Sequence, residues 1–177
     1  MQVLKFGGSS VANADNINKV INIVRDAVNK DRTIVVVSAL GGITDTLLEC
    51  AAMAEAGEEE YKHQVKMMEQ RHLETVKQLV PVSNQSSVLS LVMKQCNEIE
   101  DICNGVFLLG ELSVQTRDRI VSYGELLSSR IISASMHGKG LQNEWKDSRE
   151  LIRTDSNFGS AAIDFQTHPS ACKDLTG

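Results

Sequence analysis

Thr33-Ile34-Val35-Val36-Val37-Ser38-Ala39-Leu40-Gly41-Gly42 is the stretch that decides how this chain folds. It opens with five β-branched residues in succession, carries no charge, and stops at a glycine pair. Such side chains are stiff at χ1 and pack well on a pleated surface. Without polar alternation, the run predicts a strand buried on both faces of a sheet. Upstream, Val3-Leu4-Lys5-Phe6-Gly7-Gly8 repeats the theme, a short and mostly apolar run broken by a second glycine pair. Between the two, residues 14–30 set Ile17, Val20, Ile21, Val24 and Val28 at helical spacing. Downstream, Ile43 to about Ala56 reads as a helix with Gly57 as its stop. Strand, loop, helix, strand, glycine loop, helix predicts a βαβ unit with a parallel sheet.

The middle of the chain changes period. Tyr61, Val65, Met68, His72, Val76 and Leu79 recur at steps of three and four within residues 58–80, and Pro81 ends that helix. A second stripe over 87–109 runs through Val88, Leu91, Val92, Ile99, Ile102, Cys103 and Val106. A third helix, about 115–137, holds Ile120, Val121, Leu127, Ile131 and Ile132 and is followed by Gly138. Residues 58–137 therefore read as a helical layer set into an α/β framework. Glu58-Glu59-Glu60 reads as a solvated first turn, where acidic groups favour the helix dipole. Beyond Gly140 come short pieces, with Trp145 packed and a helical turn over 147–152, and residues 167–177 show no periodicity.

Composition narrows the classes. Eighteen basic against 23 acidic side chains leave a net charge of −5 on 177 residues, the wrong sign for an electrostatic nucleic-acid binder. No run of ~18 apolar residues occurs, so no membrane span is expected. Met1-Gln2-Val3-Leu4-Lys5 lacks the order of a signal peptide, and a cytoplasmic protein is the expectation. In that setting Cys50, Cys96, Cys103 and Cys172 read as reduced, buried thiols. His63, His72, His137 and His168 form no metal-binding spacing, and His72 on its apolar stripe reads as a core histidine. No metal site made of protein ligands alone is expected.

Three segments can carry chemistry. In Lys5-Phe6-Gly7-Gly8-Ser9-Ser10, two glycines at a strand end allow close backbone approach, and free N–H groups can cradle phosphate oxygens beside the Lys5 charge. The lysine precedes the glycines, unlike in a Walker loop, and an ordinary tight turn accounts for the same residues. Ser38-Ala39-Leu40-Gly41-Gly42-Ile43-Thr44-Asp45 is a second glycine turn at the same sheet edge, where ligands of parallel α/β proteins collect. Thr44 there reads as a helix N-cap, a ligand contact, or both. Ser122-Tyr123-Gly124-Glu125 places a glycine inside a helix, which costs up to about 1 kcal/mol and suggests a close approach. Neighbouring Arg117-Asp118-Arg119 reads as surface pairing. No G-x-G-x-x-G or G-x-S-x-G signature occurs.

Together, Lys5-Phe6-Gly7-Gly8-Ser9-Ser10-Val11, Val37-Ser38-Ala39 with Gly42-Ile43-Thr44, and Ser122-Tyr123-Gly124-Glu125 resemble the aspartokinases of the amino acid kinase family. Arg153-Thr154-Asp155 with Phe158-Gly159 is a weaker fourth match. Residues 3–13 and Leu108-Leu109-Gly110 look most like the kinase half of bifunctional aspartokinase–homoserine dehydrogenases. The resemblance implies an α/β parallel-sheet sandwich of the carbamate kinase-like type with a helical insert, residues 1–177 forming the amino-terminal portion of that domain. It implies phosphorylation of the L-aspartate side-chain carboxylate by ATP, with Mg²⁺ carried on the phosphates, to 4-phospho-L-aspartate, the first step toward the aspartate-family amino acids. In that reading Lys5 is catalytic, Lys5, Gly7, Gly8 and Ser9 bind the ATP phosphates, and Ser38, Thr44 and Glu125 bind aspartate. The full-length protein is expected to be a homo-oligomer. The family's later Gly-Gly-Ser-Asp loop and catalytic aspartate have no counterpart before Gly177, so these 177 residues on their own are expected to lack kinase activity. The alternatives are a glutamate- or carbamate-type amino acid kinase, and a non-catalytic association module.

Overall fold

The computed structural model describes residues 1–164. The elements follow the order β1 (Gln2–Phe6), α1 (Ala14–Val28), β2 (Thr33–Val37), α2 (Ile43–Glu55), α3 (Tyr61–Leu79), α4 (Val82–Leu109), α5 (Val114–Gly138) and the short α6 (Ser148–Leu151). Each predicted strand and helix is present, and the boundaries carry the corrections. α4 starts at Val82, five residues before the expected 87, because Pro81 stops α3 and also seeds the next helix with its fixed φ of −56°. Glu58, Glu59 and Glu60 precede α3 instead of forming its first turn, with Glu60 at the N-cap. Their charge is used locally, Glu59 pairing with Lys62 and Glu60 with His63 on the surface. Val28, placed on the α1 stripe, is 42% exposed in that helix's last turn.

β1 and β2 pair in parallel, with Lys5 opposite Val36 and Phe6 opposite Val37. The α1 crossover between them is what parallel pairing requires. One face of this two-stranded sheet lays Leu4, Phe6, Val35 and Val37 on the core. On the other face Val3 and Val36 are 59% and 46% exposed, so β2 is covered on one face among the described residues, not on both as its sequence predicts.

The core lies among the helices. α2 packs on α3, α4 and α5, and α4 on both α3 and α5. All six residues of the α3 stripe, from Tyr61 to Leu79, are buried. Cys50, Cys96 and Cys103 are free and buried, and burial pushes their thiols up to about 11, 12 and 12. His72 is fully buried and held neutral, its value lowered by burial to about 4, while its Nδ1 donates to the Met68 carbonyl at 2.7 Å. Trp145 is half-buried, donating its indole N–H to Ser129 Oγ at 3.0 Å with the Arg130 guanidinium 3.3 Å over its ring. Residues 167–177, including His168 and Cys172, lie outside the described residues. No helix of the described residues is long and apolar enough to cross a membrane.

Candidate active site

Parallel strands in register deliver their following loops to one edge of the sheet. Phe6 and Val37 are partners, and the Ser38 N–H extends the ladder by donating to the Phe6 carbonyl at 3.0 Å. The loop over residues 7–13 turns at once, Ser10 N–H donating to Gly7 O at 2.9 Å, and ends where Asn13 caps α1 by accepting from the Asn16 N–H. The loop over 38–42 lies directly against it. A Cβ built on Gly8 would stand 3.6 Å from the Ala39 carbonyl oxygen and 3.9 Å from Ser38 Oγ. One built on Gly41 would stand 3.0 Å from Ala12 Cβ, a contact the neighbours would have to yield to.

Gly42, at φ 81°, occupies the N-cap of α2 and supplies no side-chain cap. The left-handed backbone there favours glycine. This corrects the N-cap reading of Thr44, which instead sits inside the first turn, half-buried, while the Thr46 hydroxyl takes the Gly42 carbonyl. The first turn of α2 thus presents the positive end of its dipole without a capping side chain.

The third segment arrives from α5. Glu125 Oε1 accepts the Ala39 N–H at 3.4 Å, and Ser128 Oγ donates to the Ser38 carbonyl at 2.6 Å. Gly124 explains how the helix gets so close: a Cβ there would be 2.9 Å from Ala39 Cβ, 3.4 Å from Leu47 and 3.5 Å from Ile43. The close approach suggested by that glycine is thus made, and its target is the second loop. Tyr123 turns the other way, its hydroxyl donating to Glu98 on α4 at 2.9 Å. Burial and this carboxylate hold the phenol above its ordinary range.

The candidate residues therefore separate by position. Gly8, Ser38 and Glu125 meet around Ala39, and Lys5 folds back so that its Nζ is 3.8 Å from a Cβ position on Gly7. Ser9 is exposed, with its carbonyl held by the Asn16 side chain at 2.9 Å. Asp118, read as a surface partner for its flanking arginines, accepts the Gly159 N–H at 2.6 Å and so ties the fourth motif to the start of α5. Two residues that sequence reasoning missed also hold the site. Ser128 is one, a buried hydroxyl one turn beyond Glu125 on the same face. Arg71 is the other, a half-buried cation beside the α3 stripe whose Nη2 donates to the Ala12 carbonyl at 3.0 Å and the Gly41 carbonyl at 2.7 Å. Among the described residues no group of three His, Cys, Asp or Glu side chains gathers.

An ammonium and loop amides at one end, and a half-buried carboxylate at the other, can hold a ligand that is anionic at one end and cationic at the other. The chain is 31% identical over 178 residues to aspartokinase 1, chloroplastic, of Arabidopsis thaliana, covering 98% of this chain and 30% of that protein. It is 25% identical over 167 residues to the bifunctional aspartokinase/homoserine dehydrogenase 2, chloroplastic, of the same plant, covering 90% and 18%. The fold matches Escherichia coli aspartokinase III in complex with aspartate and ADP with TM-score 0.83 and 28% identity, over 99% of this chain and 36% of that one. The same enzyme in complex with lysine and aspartate gives 0.82 and 27%, over 99% and 37%. The chain spans under a third of the plant proteins and little over a third of the bacterial one. Residues 1–176 match the amino acid kinase family, and to that family the chain belongs.

Proposed function

We propose that residues 1–177 are the amino-terminal portion of an aspartokinase catalytic domain, with β1 and β2 part of a larger parallel-sheet sandwich. The observation that carries the reading is the meeting of Glu125 and Ser128 with the loop over 38–42, on the sheet edge that also carries Gly7 and Gly8. The aspartate and ADP bound by the bacterial neighbour support it. In the reaction, a side-chain carboxylate oxygen of L-aspartate attacks the γ-phosphorus of ATP. The bond to the bridging oxygen breaks, leaving ADP and 4-phospho-L-aspartate. An ionised carboxylate needs no general base, so the protein's work is positioning and neutralising charge. The Lys5 ammonium offsets charge on the transferred group, and the amides of Gly7, Gly8 and Ser9 hold phosphate oxygens. The hydroxyls of Ser38 and Thr44 hold aspartate, and Glu125, steadied by the Ala39 N–H, pairs with the substrate ammonium. Mg²⁺, carried on the nucleotide phosphates, would neutralise part of their charge.

Thermal melts of the 177-residue chain test this reading. A ligand at about 100 Kd adds about 2.7 kcal/mol, which for a chain of this size raises Tm by roughly 5–10 °C. ATP with Mg²⁺ and L-aspartate should each raise Tm, Lys5→Ala should abolish the first shift, and Glu125→Gln the second. Absence of both shifts in the parent chain, or a shift with glutamate and none with aspartate, overturns the assignment.

A further inference from the structure

Arg71 stands 30 residues from one of its partners and 59 from the other, and it touches neither a phosphate nor an amino-acid candidate residue through its guanidinium. Its two bonds nonetheless end on the main chain of both ligand loops. One nitrogen, Nη2, spends its two N–H groups on Ala12 O, at the end of the first loop, and Gly41 O, in the second. The same two residues are in contact through Gly41 and Ala12 Cβ, so the guanidinium closes over a point where the loops already touch. Among the described residues Arg71 makes no ion pair, and its guanidinium donates to these two carbonyls. Below it, the Thr75 hydroxyl takes the Arg71 carbonyl at 2.8 Å, and the buried His72 is neutral, so no second positive charge adjoins it in the helix.

We propose that Arg71 is a positioning residue for the phosphate and amino-acid loops, a clasp reaching from α3 that fixes their separation. This rests on the kinase reading of those loops. A hydrogen bond from a charged donor is stronger than one between neutral groups. The bond to Ala12 ties α3 directly to the first loop, whereas α3 meets α1, the helix that follows that loop, only lightly. The clasp leaves a fixed positive charge behind a pair of loops whose ligands are anionic, without occupying their amides.

The test is amide hydrogen exchange of the 177-residue chain, read peptide by peptide, in the parent, Arg71→Met and Arg71→Lys. Met keeps an unbranched apolar stem, two atoms shorter, without a donor. Lys keeps an ammonium whose three N–H groups can serve both carbonyls but falls one atom short. Exchange over residues 7–13 and 38–44 should rise about tenfold in Arg71→Met, with α4 and α5 unchanged, and be partly restored in Arg71→Lys. Calorimetric titration with ATP·Mg²⁺ should show a Kd weakened about tenfold by Met and less by Lys. Unchanged loop exchange, a uniform rise across α3, α4 and α5, or loosened loops with an unchanged Kd each overturn the proposal. Should the parent chain bind no ATP, the kinase reading falls and the positioning role with it, while the exchange contrast still decides whether the clasp exists.

Discussion

Gly105 and Gly124 both lie inside long helices, and the structure assigns opposite signs to the same substitution at the two. A Cβ on Gly105 meets nothing within 4 Å, so Gly105→Ala keeps the full gain in helix propensity, about 1 kcal/mol. A Cβ on Gly124 would stand 2.9 Å from Ala39 Cβ, about an ångström inside the optimal carbon–carbon separation. Ala39 Cβ hangs directly on the backbone and is 2% exposed, so the clash must move main chain and not a side-chain tip. Overpacking of this kind costs about 1–3 kcal/mol, which the same propensity gain offsets by about 1. Gly124→Ala should therefore destabilise by up to about 2 kcal/mol and Gly105→Ala stabilise by about 1. At roughly 2–4 °C per kcal/mol the two Tm values should differ by roughly 2–12 °C. Urea unfolding followed by circular dichroism, with m unchanged, measures both. Shifts of one sign at both positions would refute the packing argument, whatever their size.

Ser128→Ala leaves the Ser38 carbonyl without its 2.6 Å donor and should cost about 1–2 kcal/mol, read by the same urea titration. His72, neutral in the fold down to about pH 4, should make stability fall as pH drops from 6.5 to 4, because over that window only the unfolded chain takes up the proton. The loss amounts to about 3 kcal/mol at the bottom of the window, and His72→Leu should remove most of it; an unchanged acid limb in that variant would count against the assignment. Cys50, Cys96 and Cys103, buried and raised to about 11 to 12, should resist iodoacetamide at pH 8 in the native chain and label fully in urea, as peptide mass spectrometry would show.

What the sequence makes legible is whatever one element decides alone. The five β-branched residues from Thr33, the steps from Tyr61 to Leu79 and the proline between α3 and α4 each act within one segment, and each appears where its residues place it. Gly124 was legible as an anomaly, a cost with no local return, though its target was not. Thr44 misled because threonine caps helices well and nothing local says that Gly42 turns left-handed just before it. The open face of β2 was misread for a different reason. A run without charge or polar alternation reports the burial a strand is built for, while Val3 and Val36 report the covering present among residues 1–164. Arg71 and Ser128 had no signal to find, since a side chain bound to a backbone carbonyl makes no demand on the identity of its partner.

That last class of contact changes how the helical layer is understood. From periodicity alone, residues 58–137 look like an insert resting on a βαβ unit. In the structure, the loop over 38–42 is held at Ser38 by Ser128, at Ala39 by Glu125 and at Gly41 by Arg71, with Gly124 setting the depth at which α5 meets it. Three of its five residues take their place from helices that come later in the chain. The first loop has one such tie, through Ala12. The βαβ unit thus supplies the sheet edge on which the loops stand, and the helices supply the separation between them. A change in the packing of α3 against α5 must therefore reach the candidate phosphate and amino-acid contacts through main chain, without any contacting side chain being altered.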